Sequence, residues 1–192
     1  MKNVGYILWV AAFFVACQSK NEEKSSNSIV EDGVELVQKA NYSRLFSTTK
    51  NDCPLLTAAE IADLLELPLE NVSQSDSSNP CSTEIRLQNG SKYSVVINSG
   101  SMSQEAIISE IKRYREAHTP ESPVYQISET GDNYICHQRM LYRMFIYNPQ
   151  YEGFIVLNFN SVNYLKKEVS PLQQRVEHTY RLANALIEKY GE

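Results

Sequence analysis

The sequence predicts an α+β fold: an antiparallel sheet of about five to six strands with three helices, in the order α-β-β-α-β-β-β-β-α. Stretches with apolar residues at helical spacing start at Thr57, Ser103 and Ser170, each behind a residue suited to cap a helix. Runs that alternate apolar and polar residues lie between them. Short turns rich in Gly, Asn and Pro join those runs, which makes neighbouring strands antiparallel, and helices laid over one side complete an α+β sandwich.

Taken in order, Thr57-Ala58-Ala59-Glu60 has the form of a capping box, a hydroxyl reaching forward and a carboxylate reaching back. It opens a short helix with Ile61, Leu64 and Leu65 on one face, stopped near Pro68. After a polar loop over Ser73–Pro80 comes a hairpin. Thr83, Ile85 and Leu87 alternate with Glu84 and Arg86, and Tyr93, Val95 and Ile97 alternate with Lys92 and Ser94. A two-residue Asn89-Gly90 turn would set Leu87 against Lys92, apolar face against polar. A three-residue loop, Gln88-Asn89-Gly90 with Gly90 left-handed, pairs Ile85 with Tyr93 and Thr83 with Val95, and is the register expected. Ser103 then caps a helix to about His118 that carries Ile107, Ile111 and Tyr114 on one face. Strands follow at Val124–Ser128, Asn133–Gln138, Leu141–Tyr147 and Phe154–Val162, separated by Gly131-Asp132, Asn148-Pro149 and Gly153. The last helix is expected to use Ser170 as cap and Pro171 as first residue, to end at Gly191, and to bury Leu172, Val176, Thr179, Ala183, Leu186 and Tyr190.

The chain has 192 residues, 42% of them hydrophobic and 21% charged, with a net charge of -5. Such a composition excludes a disordered, collagen-like or multi-span membrane protein, and the acidic balance argues against a nucleic-acid partner, which would demand a clustered basic footprint. Lys2 precedes a mostly apolar run, Val4–Ala16, that is too short to cross a bilayer as a helix and suits the core of an export signal. It ends Phe14-Val15-Ala16-Cys17. This segment resembles the signal of bacterial lipoproteins, with Phe14 where the family mostly has Leu. The resemblance implies removal of residues 1–16 and lipidation of Cys17, so that the membrane is a partner through the lipid anchor. Ordinary secretion and an uncleaved anchor are the alternatives. Gln18, in place of Asp, implies by the same resemblance the outer membrane, and Glu22-Glu23 resembles a signal for the cell surface.

Residues 17–51, rich in Ser, Asn, Lys and Glu, are expected to be a flexible polar tether, with a loose helix from about Glu31 to Leu45 as one possibility. Such a tether has a reach of about 30 Å. Residues 52–192 are expected to form a single domain, large enough for one core.

With Cys17 assigned to lipid, Cys53, Cys81 and Cys136 remain in an oxidising compartment. Cys53 and Cys81 each adjoin a Pro in a turn-like context, and a Cys53–Cys81 disulfide is expected; Cys81–Cys136 is the rival pairing, and Cys136 is otherwise a buried small hydrophobe. Cys53-Pro54-Leu55-Leu56-Thr57, the helix after it, a second Cys and the Gly131-Asp132 turn before paired strands resemble a layout of small exported bacterial domains of unknown function. That layout implies no catalytic residues.

No motif for chemistry stands out. Cys136 and His137 are strand neighbours and point to opposite faces, so they cannot share an ion, and no metal site or cofactor is expected. His178 falls one position before the apolar stripe of the last helix and is expected to be exposed. There is no Gly-x-Ser-x-Gly elbow and no Gly-rich phosphate loop. One local concentration remains: Arg139, Tyr142, Arg143 and Tyr147 lie in the aromatic-rich strands, of residue types enriched where proteins meet partners, and form the candidate binding face. The function expected is therefore a lipid-anchored envelope domain that binds a protein or ligand without catalysis. An envelope hydrolase with dispersed catalytic residues is the alternative.

Overall fold

The computed structural model describes residues 36–74, 81–161 and 171–192. Seven strands, β1 (Val72–Gln74), β2 (Ser82–Arg86), β3 (Lys92–Gly100), β4 (Tyr125–Ile127), β5 (Tyr134–Gln138), β6 (Arg143–Tyr147) and β7 (Phe154–Ser161), form one antiparallel open sheet in the spatial order β1-β2-β3-β7-β6-β5-β4. The helices are α1 (Ser43–Phe46), α2 (Ala58–Leu64), α3 (Gln104–Ala117) and α4 (Leu172–Tyr190). The class is the predicted α+β. β1 is the strand beyond the expected range: Ser73 was assigned to a polar loop, but Val72 is buried and pairs with Ile85, which draws the chain onto the sheet edge. Residues 75–80 of that loop lie outside the described residues, as do residues 1–35, with the expected signal, Cys17 and the first part of the tether.

Local signals fix several elements as expected. Glu60 N–H donates to Thr57 Oγ1 at 3.2 Å and Thr57 N–H donates to Glu60 Oε2 at 2.7 Å, closing the capping box of α2. Ser103 Oγ accepts from Ala106 N–H at the start of α3. The hairpin takes the three-residue loop, with Ile85 opposite Tyr93, Thr83 opposite Val95 and Gly90 at φ 82°. At α4, Pro171 itself holds the cap position and no side chain caps the helix; Ser170 lies outside the described residues.

Three expectations are corrected. The first concerns the helices, which do not all cover one side. α2 and α4 pack on the face carrying Ile85, Val95, Ile146, Leu157 and Phe159, whereas Ile107, Ile111 and Tyr114 of α3 pack on the opposite face against Tyr134, Cys136 and Tyr147. Both faces of β5 are thereby buried, from Tyr134 through His137, while β2 and β3 keep one face toward solvent. The second concerns the tether, which does not reach Asn51. Leu36, Tyr42, Leu45 and Phe46 are buried in the core. Polar groups pin them in place. Lys39 N–H and Tyr42 Oη–H donate to the Asp132 carboxylate at 3.0 and 2.9 Å, Tyr42 N–H donates to Tyr151 Oη at 2.8 Å, and Asn41 and Glu192 exchange backbone hydrogen bonds. Tyr42, Leu45 and Phe46 have helical spacing, but only one short turn of helix forms there, and distant partners hold the rest of the segment. Of the loose helix expected there, only α1 is present among the described residues. The third correction is Leu141–Tyr147, which is not strand throughout: Arg139–Leu141 form a 3-10 turn and the strand starts at Arg143.

Cys53 and Cys81, separated by 28 positions in sequence, form the disulfide, with Cα atoms 5.0 Å apart. Cys136 is free and buried, so the rival pairing does not form. Burial of its side chain between β5 and α3 pushes the thiol up, away from the reactive thiolate.

Candidate functional site

One end of the sheet holds the N-terminal attachments just described, beside the Gly131-Asp132 turn that precedes β5. The other end gathers the start of β3, the end of β7, the β5–β6 connection and the first turns of α4. Three of the four expected binding residues meet there, and one does not.

Arg139, Tyr142 and Arg143 lie in the β5–β6 connection. Tyr147 is at the far end of β6 and is buried against α3, stacked on Phe145 at 5.6 Å and packed on Phe154. Residue type and strand context grouped it with the others, but Tyr142 is not in the strand and Tyr147 lies at the strand's opposite end. Its backbone is left-handed, φ 50° and ψ 48°, a conformation that costs a non-glycine residue about 1 kcal/mol or more. Several contacts hold it. Its carbonyl accepts from Phe159 N–H at 2.9 Å. Its ring sits edge-on to Phe159, and the Arg175 guanidinium lies 5.3 Å from its centroid. Arg175 is buried on α4 and also donates to the Phe159 carbonyl at 3.3 Å.

The pinned Tyr142 pushes the rest of the turn outward. Met140 is 89% exposed and Leu141 48% exposed, with the exposed Arg139 and Arg143 on either side of them. Arg139 Nη2 reaches the Pro123 carbonyl at 3.4 Å, a weak contact. No Asp or Glu occurs between Asn133 and Tyr151, so the turn is cationic within an acidic chain. Leu172, one helical turn before Arg175, is not buried as expected but adds a further half-exposed apolar side chain to this end of the molecule, because the first turn of α4 extends beyond the covered face.

Sequence reasoning missed a second feature. A cleft of about 350 Å³ opens between the end of α2, the β2–β3 loop and α4, lined by Leu65, Leu67, Glu66, Asn89, Gln174 and His178 among others. His178 is buried, contrary to expectation, and its Nδ1 shares a hydrogen bond of 2.7 Å with Tyr93 Oη. The apolar stripe of α4 is wider than the single row that the sequence suggested, because the helix lies across the sheet and buries Arg175, His178 and Leu182 together with Thr179, Ala183 and Leu186. Burial, and then the nearby Arg181 charge, lower the affinity of His178 for a proton against a weaker opposite effect of Glu177; burial likewise pushes the Tyr93 phenol up. The pair is therefore a neutral hydrogen bond near pH 7, leaving Nε2 as the nitrogen that Tyr93 does not use. Glu66 at the rim has φ 57° and pairs with Arg181 at 3.0 Å.

His137 and Cys136 point to opposite faces as expected. His137 lies between the Phe159 and Tyr180 rings, and its Nε2 is buried without a hydrogen-bond partner. Burial first and the Arg139 charge second lower its pKa to about 4. Among the described residues no group of His, Cys, Asp and Glu is placed to hold a metal ion, and no helix is long and apolar enough to cross a membrane. Compared with protein-family models, curated proteins and solved structures, the chain matches none.

Proposed function

We propose that this protein is a lipid-anchored domain of the bacterial cell envelope, attached through Cys17, that acts by binding a protein or another ligand and not by catalysis. The observation that carries the reading is the end of the apolar run, Phe14-Val15-Ala16-Cys17, a small residue directly before a cysteine at the point where the polar chain begins. Two or three acyl chains on one cysteine bind a bilayer essentially permanently, since each buried methylene contributes about 0.8 kcal/mol. The Cys53–Cys81 disulfide suits an oxidising compartment. Gln18 favours the outer membrane, and Glu22-Glu23 its outer surface. The binding part of the reading is supported by the cationic turn with its exposed Arg139, Met140 and Arg143, of residue types enriched at interfaces, and the half-exposed Leu141 beside them.

Growth with labelled palmitate tests the anchor. Label is expected in the wild-type chain and absent from Cys17→Ser, which leaves the membrane fraction. Labelled Cys17→Ser, or unlabelled wild type, overturns the reading. The second reading, an envelope hydrolase, has one observation in its favour: His178 and Glu66 line the same cleft. It predicts a hydrolytic activity abolished by His178→Gln in a chain that still folds.

A further inference from the structure

We infer that the β5–β6 turn is a preformed docking knob whose partner is a protein presenting an apolar pocket rimmed by carboxylates. The inference deepens the binding reading given above and rests on it. The first ground is shape. Met140 and Leu141 are pushed outward by a turn closed through left-handed Tyr142, and that residue is clamped by the Phe159 amide, the Phe159 ring and the buried Arg175. A turn held from below by buried groups loses little freedom on docking, which favours binding. The second ground is charge. Arg139 and Arg143 flank the apolar pair, no acidic residue occurs from Asn133 to Tyr151, and the whole chain carries -5. The complementary surface is therefore apolar at its centre and anionic at its edge, with carboxylates that guanidinium groups grip in two-pronged fashion.

The third ground is position. Leu36, the first described residue, belongs to the same core cluster as Tyr134 at the start of β5, and Lys39 N–H bonds to Asp132 in the adjoining turn. The knob follows Gln138 at the other end of the same strand, about 13 Å farther on at about 3.3 Å per residue. The knob and the first described residues thus lie at opposite ends of β5, so a protein can dock on the knob without displacing the segment that leads toward the anchor.

The test uses the full chain in its own envelope, with a photo-crosslinking amino acid at position 140 and, as a control at the attachment end, at position 37, where Val37 is also exposed. The expected result is a discrete protein adduct from position 140, absent from position 37, whose crosslinked peptide carries Asp or Glu beside apolar residues. Its yield should fall at least tenfold in the Arg139→Glu, Arg143→Glu double variant, with an unchanged melting temperature showing that the fold survives. Adducts to lipid alone, a protein adduct indifferent to charge reversal, or no adduct at all overturns the inference. So does charge-dependent binding of the chain to phosphatidylglycerol vesicles that accounts for the adduct. Palmitate labelling of Cys17 is scored separately, so loss of the anchor and loss of the docking partner give different results.

Discussion

The two halves of the sheet are built by different rules. In β2 and β3 one face meets the core and the other is open, so burial alternates residue by residue: Thr83, Ile85, Tyr93, Val95 and Ile97 are buried, while Glu84 and Lys92 bridge at 2.6 Å on the outer face. In β5 and β6, α4 covers one face and α3 the other. Tyr134, Ile135, Cys136 and His137 are buried in succession, and aromatic rings fill the α3 side. The difference teaches that the number of covered faces, more than strand propensity, determines which residues a strand contains. It also accounts for His137: a polar side chain within a doubly covered strand has no route to water, and one nitrogen of His137 has no partner there.

Truncations probe this contrast most strongly. Ile146→Ala, in the doubly covered half, removes a side chain with no exposure and is expected to cost up to about 5 kcal/mol in denaturant unfolding. Val96→Ala, on the outer face of β3, should cost less than about 1 kcal/mol. Equal losses would break the comparison. Removing the Cys53–Cys81 bridge with a double Cys→Ala variant is expected to cost about 3.5 kcal/mol from the loop it closes, read as a shift in melting temperature. Because the bridge ties the start of α2 to β2, that loss belongs to the singly covered half, and hydrogen exchange should rise in β1 and β2 before β5.

The pH dependence sharpens the contrast further. His137 is neutral in the fold, with a pKa lowered to about 4, whereas the unfolded ring takes up its proton near 6.5. Its contribution to stability is therefore present above about pH 6.5 and is lost as pH falls toward about 4, since only the unfolded state binds the proton in that window. His178 acts in the same direction. The melting temperature should decline between pH 6.5 and 4.5, and His137→Phe should flatten the decline more than His178→Phe does. The smallest effect expected is that of Lys92→Ala, which breaks a partly exposed ion pair on the open face: less than about 1 kcal/mol, and less still in high salt. A larger loss would mean that the outer face is covered after all.

Much of the fold was legible because its signals are local. The α2 capping box, the Ser103 cap and the Gly90 turn each need only a few adjacent residues, and the hairpin register followed from keeping two apolar rows on one side. The attachment of residues 36–48 was not legible. Tyr42 finds its partner in Asp132, 90 positions away, and nothing near Tyr42 announces it. The candidate site was legible in part. Arg139, Tyr142 and Arg143 come together as a local cluster would, but Tyr147, grouped with them by residue type, lies at the far end of β6 against α3, and the left-handed turn at Tyr142 is held by Phe159 and Arg175 from elsewhere in the chain. His178 was missed for a related reason, since a helix lying across a sheet buries a broader band than a single stripe of apolar residues marks.

By itself, then, the sequence determined the α+β class, the caps of α2 and α3 and the hairpin register, and it favoured the pairing of Cys53 with Cys81 over its rival, together with the resemblance at Cys17 on which the proposed address rests. These depend on near neighbours, on period, or on the few cysteines that were available. Only the tertiary structure decided that α3 lies opposite α4, that the chain is already packed by Leu36, and that Met140 and Leu141 stand outward while Tyr147 is covered. Each of those outcomes depends on which distant surfaces meet, and burial between distant surfaces leaves no period in the chain for a reader to follow.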